Sequence, residues 1–174
     1  WRDFGYRANH EMTVAAKTLV NAYYQASPRT SIFQGCSTGG QQALSIAQRY
    51  PTDYQGILAG APANNRTHLH AMFVSNLQAL NSPGAQLTPG KLNLISEKVI
   101  ASCGGRDGGA STDAFLTDPR QCNFDPETLP KCSGADTDMC LTEPQLAAVK
   151  ATWNGPVNRR TGERIFSGLP LGTE

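Results

Sequence analysis

The chain has 174 residues, of which 39% are hydrophobic, and its 15 basic and 14 acidic side chains leave a formal net charge of +1. This length can form one ordinary domain, and the near-neutral charge gives no reason to expect nucleic acid or an anionic membrane as a partner. The apolar runs are short and interrupted by glycine or polar residues, so no transmembrane helix is predicted.

The first third of the chain alternates between helical and strand patterns. Apolar residues recur at helical spacing over 11–24 and again over 40–50. A β-prone run at 31–34 precedes the second helix, and an apolar run at 57–59, bounded by glycines, follows it. This order predicts a parallel sheet flanked by helices. Two strands do not form a stable parallel sheet alone, so we expect their other neighbours to lie outside this chain.

The rest of the chain is richer in loops. Helical patterns are predicted over 69–80, 88–101 and 142–153, and a short strand over 164–166. The helix predicted over 88–101 starts with a threonine N-cap, followed by a proline. Proline is common at the first position of a helix. The final helix starts with a Thr-x-x-Gln capping-box pattern.

Four of the five cysteines lie between residues 103 and 140. One interpretation is a zinc site, but zinc ligands usually come as two close pairs, each about two to four residues apart. The intervals here, Cys103 to Cys122 and Cys132 to Cys140, are wider, and two local disulfides agree with them better. Disulfides indicate an oxidising compartment, so we expect a secreted or periplasmic protein. Cys36 is then the odd cysteine.

A Gly-x-Ser-x-Gly motif occupies residues 35–39, between the first predicted strand and the second predicted helix. The motif alone is weak evidence, but its context is that of a nucleophile elbow, whose glycines allow a strained turn and close helix packing. Ser37 is then the nucleophile of a serine esterase with an α/β-hydrolase fold. The backbone N–H of Thr38, at a helix N-terminus, can stabilise an oxyanion. The alternative is an ordinary glycine turn before a helix.

A serine hydroxyl needs a base, normally a histidine oriented by a carboxylate. In α/β-hydrolases the chain order is serine, acid, histidine. His10 precedes Ser37, and His68 and His70 follow the second predicted strand too soon. We therefore expect all three to be structural or surface residues. The catalytic acid and histidine are expected outside this chain, which would be an inactive internal part of a larger enzyme.

Several short segments together resemble one family. They are Gly-Cys-Ser-Thr-Gly-Gly at 35–40, Ala-Gln-Arg-Tyr-Pro at 47–51 and Gly-Ala-Pro-Ala at 60–63, preceded by matching runs at 3–7 and 10–13. In this combination the chain resembles the tannase and feruloyl esterase family, which includes mono(2-hydroxyethyl) terephthalate hydrolase. The resemblance implies an α/β-hydrolase core over 1–64 and part of an inserted lid domain over 65–174. It also implies that Cys36 forms a disulfide with a cysteine beside the catalytic histidine, downstream of this chain.

The resemblance further implies a structural calcium ion in the lid. Its expected ligands are two carboxylates and two further residues, Asp107, Asp113, Gly109 and Phe115. Two departures should weaken binding: Gly104 stands where the family has its first aspartate, and two extra residues separate Asp107 from Asp113. The alternative is a polar loop closed by the first of the two disulfides.

The expected function is hydrolysis of small aromatic carboxylic esters of feruloyl, galloyl or terephthaloyl type, through an acyl-enzyme formed on Ser37. The aromatic preference comes from the resemblance alone. Two other functions are considered: a catalytically silent, disulfide-rich binding or structural domain, and a different serine acyl hydrolase such as a lipase or peptidase. The triplet Asn65-Arg66-Thr67 is also a glycosylation acceptor sequence.

Overall fold

The structure is a computed structural model that describes residues 1–173. The chain divides into two units, Trp1–Arg66 and a second that begins at Thr67. The first unit is an α/β layer, and the second is built from helices and loops. Among the described residues, no helix is long and apolar enough to cross a membrane.

The first unit has the predicted order of helix, strand, helix and strand. Its elements are a π-helical turn (Asp3–Arg7), α1 (Ala8–Tyr24), β1 (Ile32–Cys36), α2 (Thr38–Arg49) and β2 (Gly56–Gly60). The two strands pair in parallel, with Gln34 opposite Leu58. Helix α1 begins before the predicted position because Arg7, the residue that precedes it, already has helical dihedral angles.

Side chains alternate between the two faces of this small sheet. Ile32 and Leu58 lie on one face and are 66% and 58% exposed. Intervening residues such as Phe33 are half-buried. Helix α2 contacts both strands and buries Ala43 and Ile46. Within the first unit, the sheet therefore has one covered face and one open face.

Helix α1 is attached to the segment between α2 and β2. The hydroxyl oxygens of Thr13 and Tyr54 lie 2.5 Å apart, and Lys17 donates a hydrogen bond to the backbone carbonyl of Asp53. The Tyr54 ring also meets Phe33 of β1 edge-on, with 5.4 Å between ring centroids. These contacts hold α1 against the same layer that carries the strand–helix turn after β1.

Within the described residues, the second unit has three α-helices joined by long loops. They are α3 (Arg66–Leu80, which starts at the last residue of the first unit), α4 (Pro89–Cys103) and α5 (Glu143–Asn154). The starts of α4 and α5 follow the sequence signals. Thr88 Oγ1 accepts the Lys91 N–H at 3.2 Å, and Gln145 Oε1 accepts the Thr142 N–H at 2.9 Å. The apolar core of this unit comprises Ile95, Val99, Cys103, Leu116, Leu129, Leu141, Leu146 and Val149.

The prediction of a strand over 164–166 is wrong. Arg164 forms a single antiparallel bridge with Val157. Beyond this bridge, the Ile165 N–H donates to the Pro156 carbonyl at 2.8 Å. Proline has no N–H to return a hydrogen bond, so the ladder stops there and no regular strand forms.

The four clustered cysteines form two disulfides, Cys103–Cys122 and Cys132–Cys140. The first joins the last residue of α4 to the loop that follows it, and the second closes a smaller loop ahead of α5. Because disulfide sulfurs are not available as thiolate ligands, this pairing leaves no cysteine-based zinc site in the cluster. Cys36 is a free cysteine.

A buried lysine holds the smaller disulfide loop against α4. Lys91 is 2% exposed. Its ammonium group donates to the Thr137 carbonyl at 2.7 Å and to the Cys140 carbonyl, and it pairs with the Asp136 carboxylate at 2.6 Å. Three oxygen partners compensate the charge, as a buried ammonium group requires.

Candidate active site

Ser37 lies in the turn that joins β1 to α2. Its φ of 59° and ψ of −116° are rarely adopted by residues other than glycine. The Ser37 N–H donates to the Gly60 carbonyl at 3.0 Å, and the Ser37 carbonyl accepts the Gln41 N–H at 3.1 Å. Ser37 is exposed, and its side chain makes no capping hydrogen bond although it occupies the N-cap position of α2. This geometry agrees with a nucleophile elbow.

Close packing around the turn depends on Gly35 and Gly40. A Cβ atom on Gly35 would lie 2.2 Å from the Gly39 carbonyl oxygen, and one on Gly40 would lie 2.3 Å from the Gly60 carbonyl oxygen. A Cβ atom on Gly39 would meet nothing within 4 Å. The close approach of α2 to β2 therefore depends on the glycine that follows the Gly-x-Ser-x-Gly motif rather than on the last glycine inside it.

The first residue of α2 provides a backbone donor next to Ser37. Thr38 is exposed and begins the helix. Its N–H belongs to the first turn, where amides have no helical partner and the helix dipole is positive. Such a donor can stabilise negative charge on the oxygen of a reacting ester carbonyl.

A cleft of about 630 Å³ opens beside Thr38. Its lining includes Phe4 and Tyr6 from the π-helical turn, together with Gln41 and Arg66. The Arg66 guanidinium donates to the side-chain oxygen of Gln41 at 2.7 Å. Most of the lining residues are polar, and Phe4 and Tyr6 are the two aromatic residues of the lining.

His10 is engaged in a contact at the opposite end of α2 from Ser37. Its Nδ1 lies 2.8 Å from Asp53 Oδ2, and its ring stacks on Tyr50 with 4.2 Å between centroids. Tyr50 is the C-cap of α2, and a helix of that length separates its ends by roughly 18 Å. His10 therefore ties α1 to the end of α2 and does not serve Ser37 as a base.

Sequence reasoning missed the His10–Asp53 pair, since the two residues are 43 positions apart and no spacing pattern links them. His68 and His70 belong to α3, where the His70 ring lies 6.0 Å from Phe73. Within residues 1–66 the structure thus brings no histidine to Ser37. Cys36 precedes Ser37 on β1 and is exposed, and its disulfide to a cysteine outside the chain stays a prediction.

The residues expected to bind calcium surround a buried carboxylate in the second unit. Asp107 is 1% exposed and accepts the Thr117 N–H at 2.5 Å and the Gly109 N–H at 3.3 Å. Burial raises the pKa of Asp107, but the backbone donors outweigh this effect, so that the pKa lies below its ordinary value. Asp113 accepts the Ala110 N–H at 3.0 Å.

These residues fit a calcium ion poorly. Calcium takes about six to eight oxygen ligands, whereas only two of the four expected ligands, Asp107 and Asp113, have carboxylates, and Gly109 and Phe115 could offer only backbone carbonyls. Asp118, another carboxylate of the loop, pairs with Arg120 at 2.7 Å, and this hydrogen bond holds its pKa well below the usual range. Within residues 1–173, no group of three or more His, Cys, Asp or Glu side chains could hold a metal ion.

A serine at a strained turn between a parallel strand and a helix defines the chain as part of an α/β-hydrolase. A family model described as Tannase and feruloyl esterase matches residues 1–174. The chain belongs to the tannase and feruloyl esterase family.

Two curated relatives show how the chain compares with longer proteins. An uncharacterized esterase of Xanthomonas campestris pv. campestris is 42% identical over 168 residues, which cover 96% of this chain and 29% of that protein. A probable feruloyl esterase B-2 of Aspergillus terreus is 34% identical over 174 residues, which cover 99% of this chain and 32% of that protein. The chain therefore spans about a third of the length of these relatives.

Solved structures share the fold. Feruloyl esterase B from Aspergillus oryzae superposes with a TM-score of 0.86 at 29% identity, over 99% of this chain and 35% of that one. Tannin acyl hydrolase from Aspergillus niger gives a TM-score of 0.75 at 24% identity, over 97% of this chain and 32% of that one. The predicted α/β-hydrolase fold class is confirmed.

Proposed function

We propose that the enzyme containing this chain is a carboxylic ester hydrolase for aromatic acid esters, with Ser37 as its nucleophile. The observation that carries the proposal is the strained backbone of Ser37, at φ 59° and ψ −116°, with a side chain that does not cap α2. Serine at an N-cap position normally accepts a helix amide hydrogen bond. A strained serine that does no such structural task is typical of a reactive residue.

Two adjacent residues carry the chemistry. Ser37 Oγ attacks the ester carbonyl carbon while a base removes its proton, and the carbonyl oxygen becomes negatively charged. The Thr38 N–H donates a hydrogen bond to that oxygen. The tetrahedral intermediate then expels the alcohol, which takes the proton back from the base, and an acyl-enzyme remains. Attack by water in the same manner releases the acid and restores the Ser37 hydroxyl.

The base comes from another part of the protein. His10 is held by Asp53 and Tyr50, so we propose that a histidine and an acid outside this chain complete the triad. The exposed Cys36 is proposed to form a disulfide beside that histidine. This chain alone should be inactive, because a serine hydroxyl without a base is a weak nucleophile.

The substrate class follows from the family. Relatives named feruloyl esterase and tannin acyl hydrolase support esters of feruloyl or galloyl type, and the terephthaloyl type rests on the sequence resemblance alone. Phe4 and Tyr6 in the cleft beside Thr38 support an aromatic acid, since aromatic rings pack favourably against one another. We further propose that residues 1–64 belong to the hydrolase core and 65–174 to a lid. The two disulfides support a secreted or periplasmic location.

The test compares Ser37→Ala with Ser27→Ala in the whole enzyme. Ser27 is an exposed serine of the same unit, outside any helix or strand. With methyl ferulate, methyl gallate and a terephthalate monoester, Ser37→Ala should lower kcat on the order of 10⁵-fold or more, and Ser27→Ala should leave kcat unchanged. Only proteins that retain Ser37 should be labelled by a fluorophosphonate. Turnover near wild type in Ser37→Ala would refute the assignment, and the isolated chain should show neither turnover nor labelling.

A further inference from the structure

We infer that the loop over 104–118 is held by a buried aspartate bonded to backbone amides, and that it needs no calcium ion. This loop occupies the position of the expected calcium site. The inference concerns the architecture of the second unit and is independent of the proposed catalytic role of Ser37.

The carboxylate of Asp107 is already bonded to the protein backbone. One oxygen accepts the Thr117 N–H and the other accepts the Gly109 N–H. Both carboxylate oxygens are therefore used in hydrogen bonds that close the loop, and a cation at Asp107 would compete with them.

The loop packs directly on itself where further ligands would be needed. A Cβ atom on Gly109 would lie 2.3 Å from Thr117 Oγ1 and 3.1 Å from Asp113 Oδ2, which shows how closely these segments approach. Asp113 accepts the Ala110 N–H, so its carboxylate is also used within the loop. Two carboxylates, each bonded to amides, replace the larger set of carboxylates that a calcium loop normally supplies.

Two other features hold the same loop without a metal. The loop is enclosed by the Cys103–Cys122 disulfide, and Leu116, near its C-terminal end, is a member of the apolar core. The covalent link limits the unfolded chain, and the buried leucine anchors the second half of the loop. Asp107 then has the task of orienting the backbone between these two attachments.

The test measures thermal unfolding of the whole enzyme in calcium and in EGTA, for the wild type, Asp107→Asn and Asp113→Asn. We expect the wild-type Tm to change by no more than about 1 °C. A site filled well above its Kd would instead raise Tm by several degrees. Asp107→Asn should lower Tm equally in both buffers, because it weakens hydrogen bonds made without calcium, and Asp113→Asn should lower it less.

Calcium content measured after dialysis against calcium keeps the inference testable if Asp107→Asn does not fold. Wild type and Asp113→Asn should then hold equal amounts of calcium. A calcium-dependent rise in Tm that persists in the variants would place calcium elsewhere and support the inference. A rise of several degrees that is lost in Asp107→Asn and Asp113→Asn, or one calcium ion fewer in Asp113→Asn, would overturn it.

Discussion

Gly40→Ala should disrupt the turn that carries Ser37, because α2 contacts the end of β2 and the residues that follow it at this glycine. The added Cβ atom would lie 2.3 Å from the Gly60 carbonyl oxygen and 2.9 Å from Pro62 Cα. Cβ atoms essentially never approach other atoms closer than 3.0 Å. Since both obstructing atoms belong to the backbone, no side-chain rotation relieves the clash, and the two segments must separate by about 0.7 Å.

The expected cost affects both stability and catalysis. Overpacking a well-packed site costs about 1–3 kcal/mol, and two backbone clashes place Gly40→Ala near the upper end, at about 3 kcal/mol. The Gly60 carbonyl also accepts the Ser37 N–H, so its displacement from α2 moves the proposed nucleophile. A misplacement of about 1 Å costs on the order of 10²-fold in rate, and a reduction in kcat of about 10- to 100-fold is expected.

The neighbouring Gly39→Ala is the matched control. A Cβ atom there meets nothing within 4 Å, and alanine is a better helix former than glycine by about 1 kcal/mol. Gly39→Ala should therefore leave the free energy of unfolding unchanged or slightly raised. Urea unfolding and steady-state hydrolysis of methyl ferulate, measured on both variants of the whole enzyme, test this expected difference between Gly40→Ala and Gly39→Ala. Equal effects of the two substitutions, or wild-type stability and kcat in Gly40→Ala, would refute the reasoning.

Two further predictions concern charges in the second unit. Lys91→Met should lower the free energy of unfolding by about 2 kcal/mol, because charge-assisted hydrogen bonds to backbone carbonyls are lost. Urea unfolding measures this loss, and an unchanged unfolding midpoint would contradict the prediction. Hydrogen bonds from Lys131 and Lys150 lower the pKa of Glu127 from 4.5 to about 2, so the stabilisation from this cluster is present above about pH 4.5 and declines as pH falls toward 2. The difference in Tm between wild type and Glu127→Gln should accordingly shrink as pH falls from about 7 to about 3, and a constant difference would count against it.

Several features could be predicted because they depend on residues close together in the chain. The strand–turn–helix around Ser37 follows from glycines and a serine placed between a β-prone run and a helical run. Helix α4 begins where Thr88 can accept the Lys91 N–H. The cysteine pairs are separated by 19 and 8 positions, and taken together they close shorter loops than either alternative arrangement of the four cysteines, so proximity along the chain favours them.

Other features arise only when distant segments meet. His10 contacts Asp53, 43 positions away. This contact, rather than chain order alone, shows that His10 has a structural role away from Ser37. The need for glycine at position 40 comes from the Gly60 carbonyl across the helix–strand contact. In the expected calcium loop, the amide of Thr117 satisfies Asp107 from ten positions away. The local turn, the helix starts and the cysteine pairing could be predicted because residues near one another in the chain decide them. The partners of His10, Gly40 and Asp107 were decided by tertiary packing, because only packing determines which backbone donors and acceptors come within contact distance.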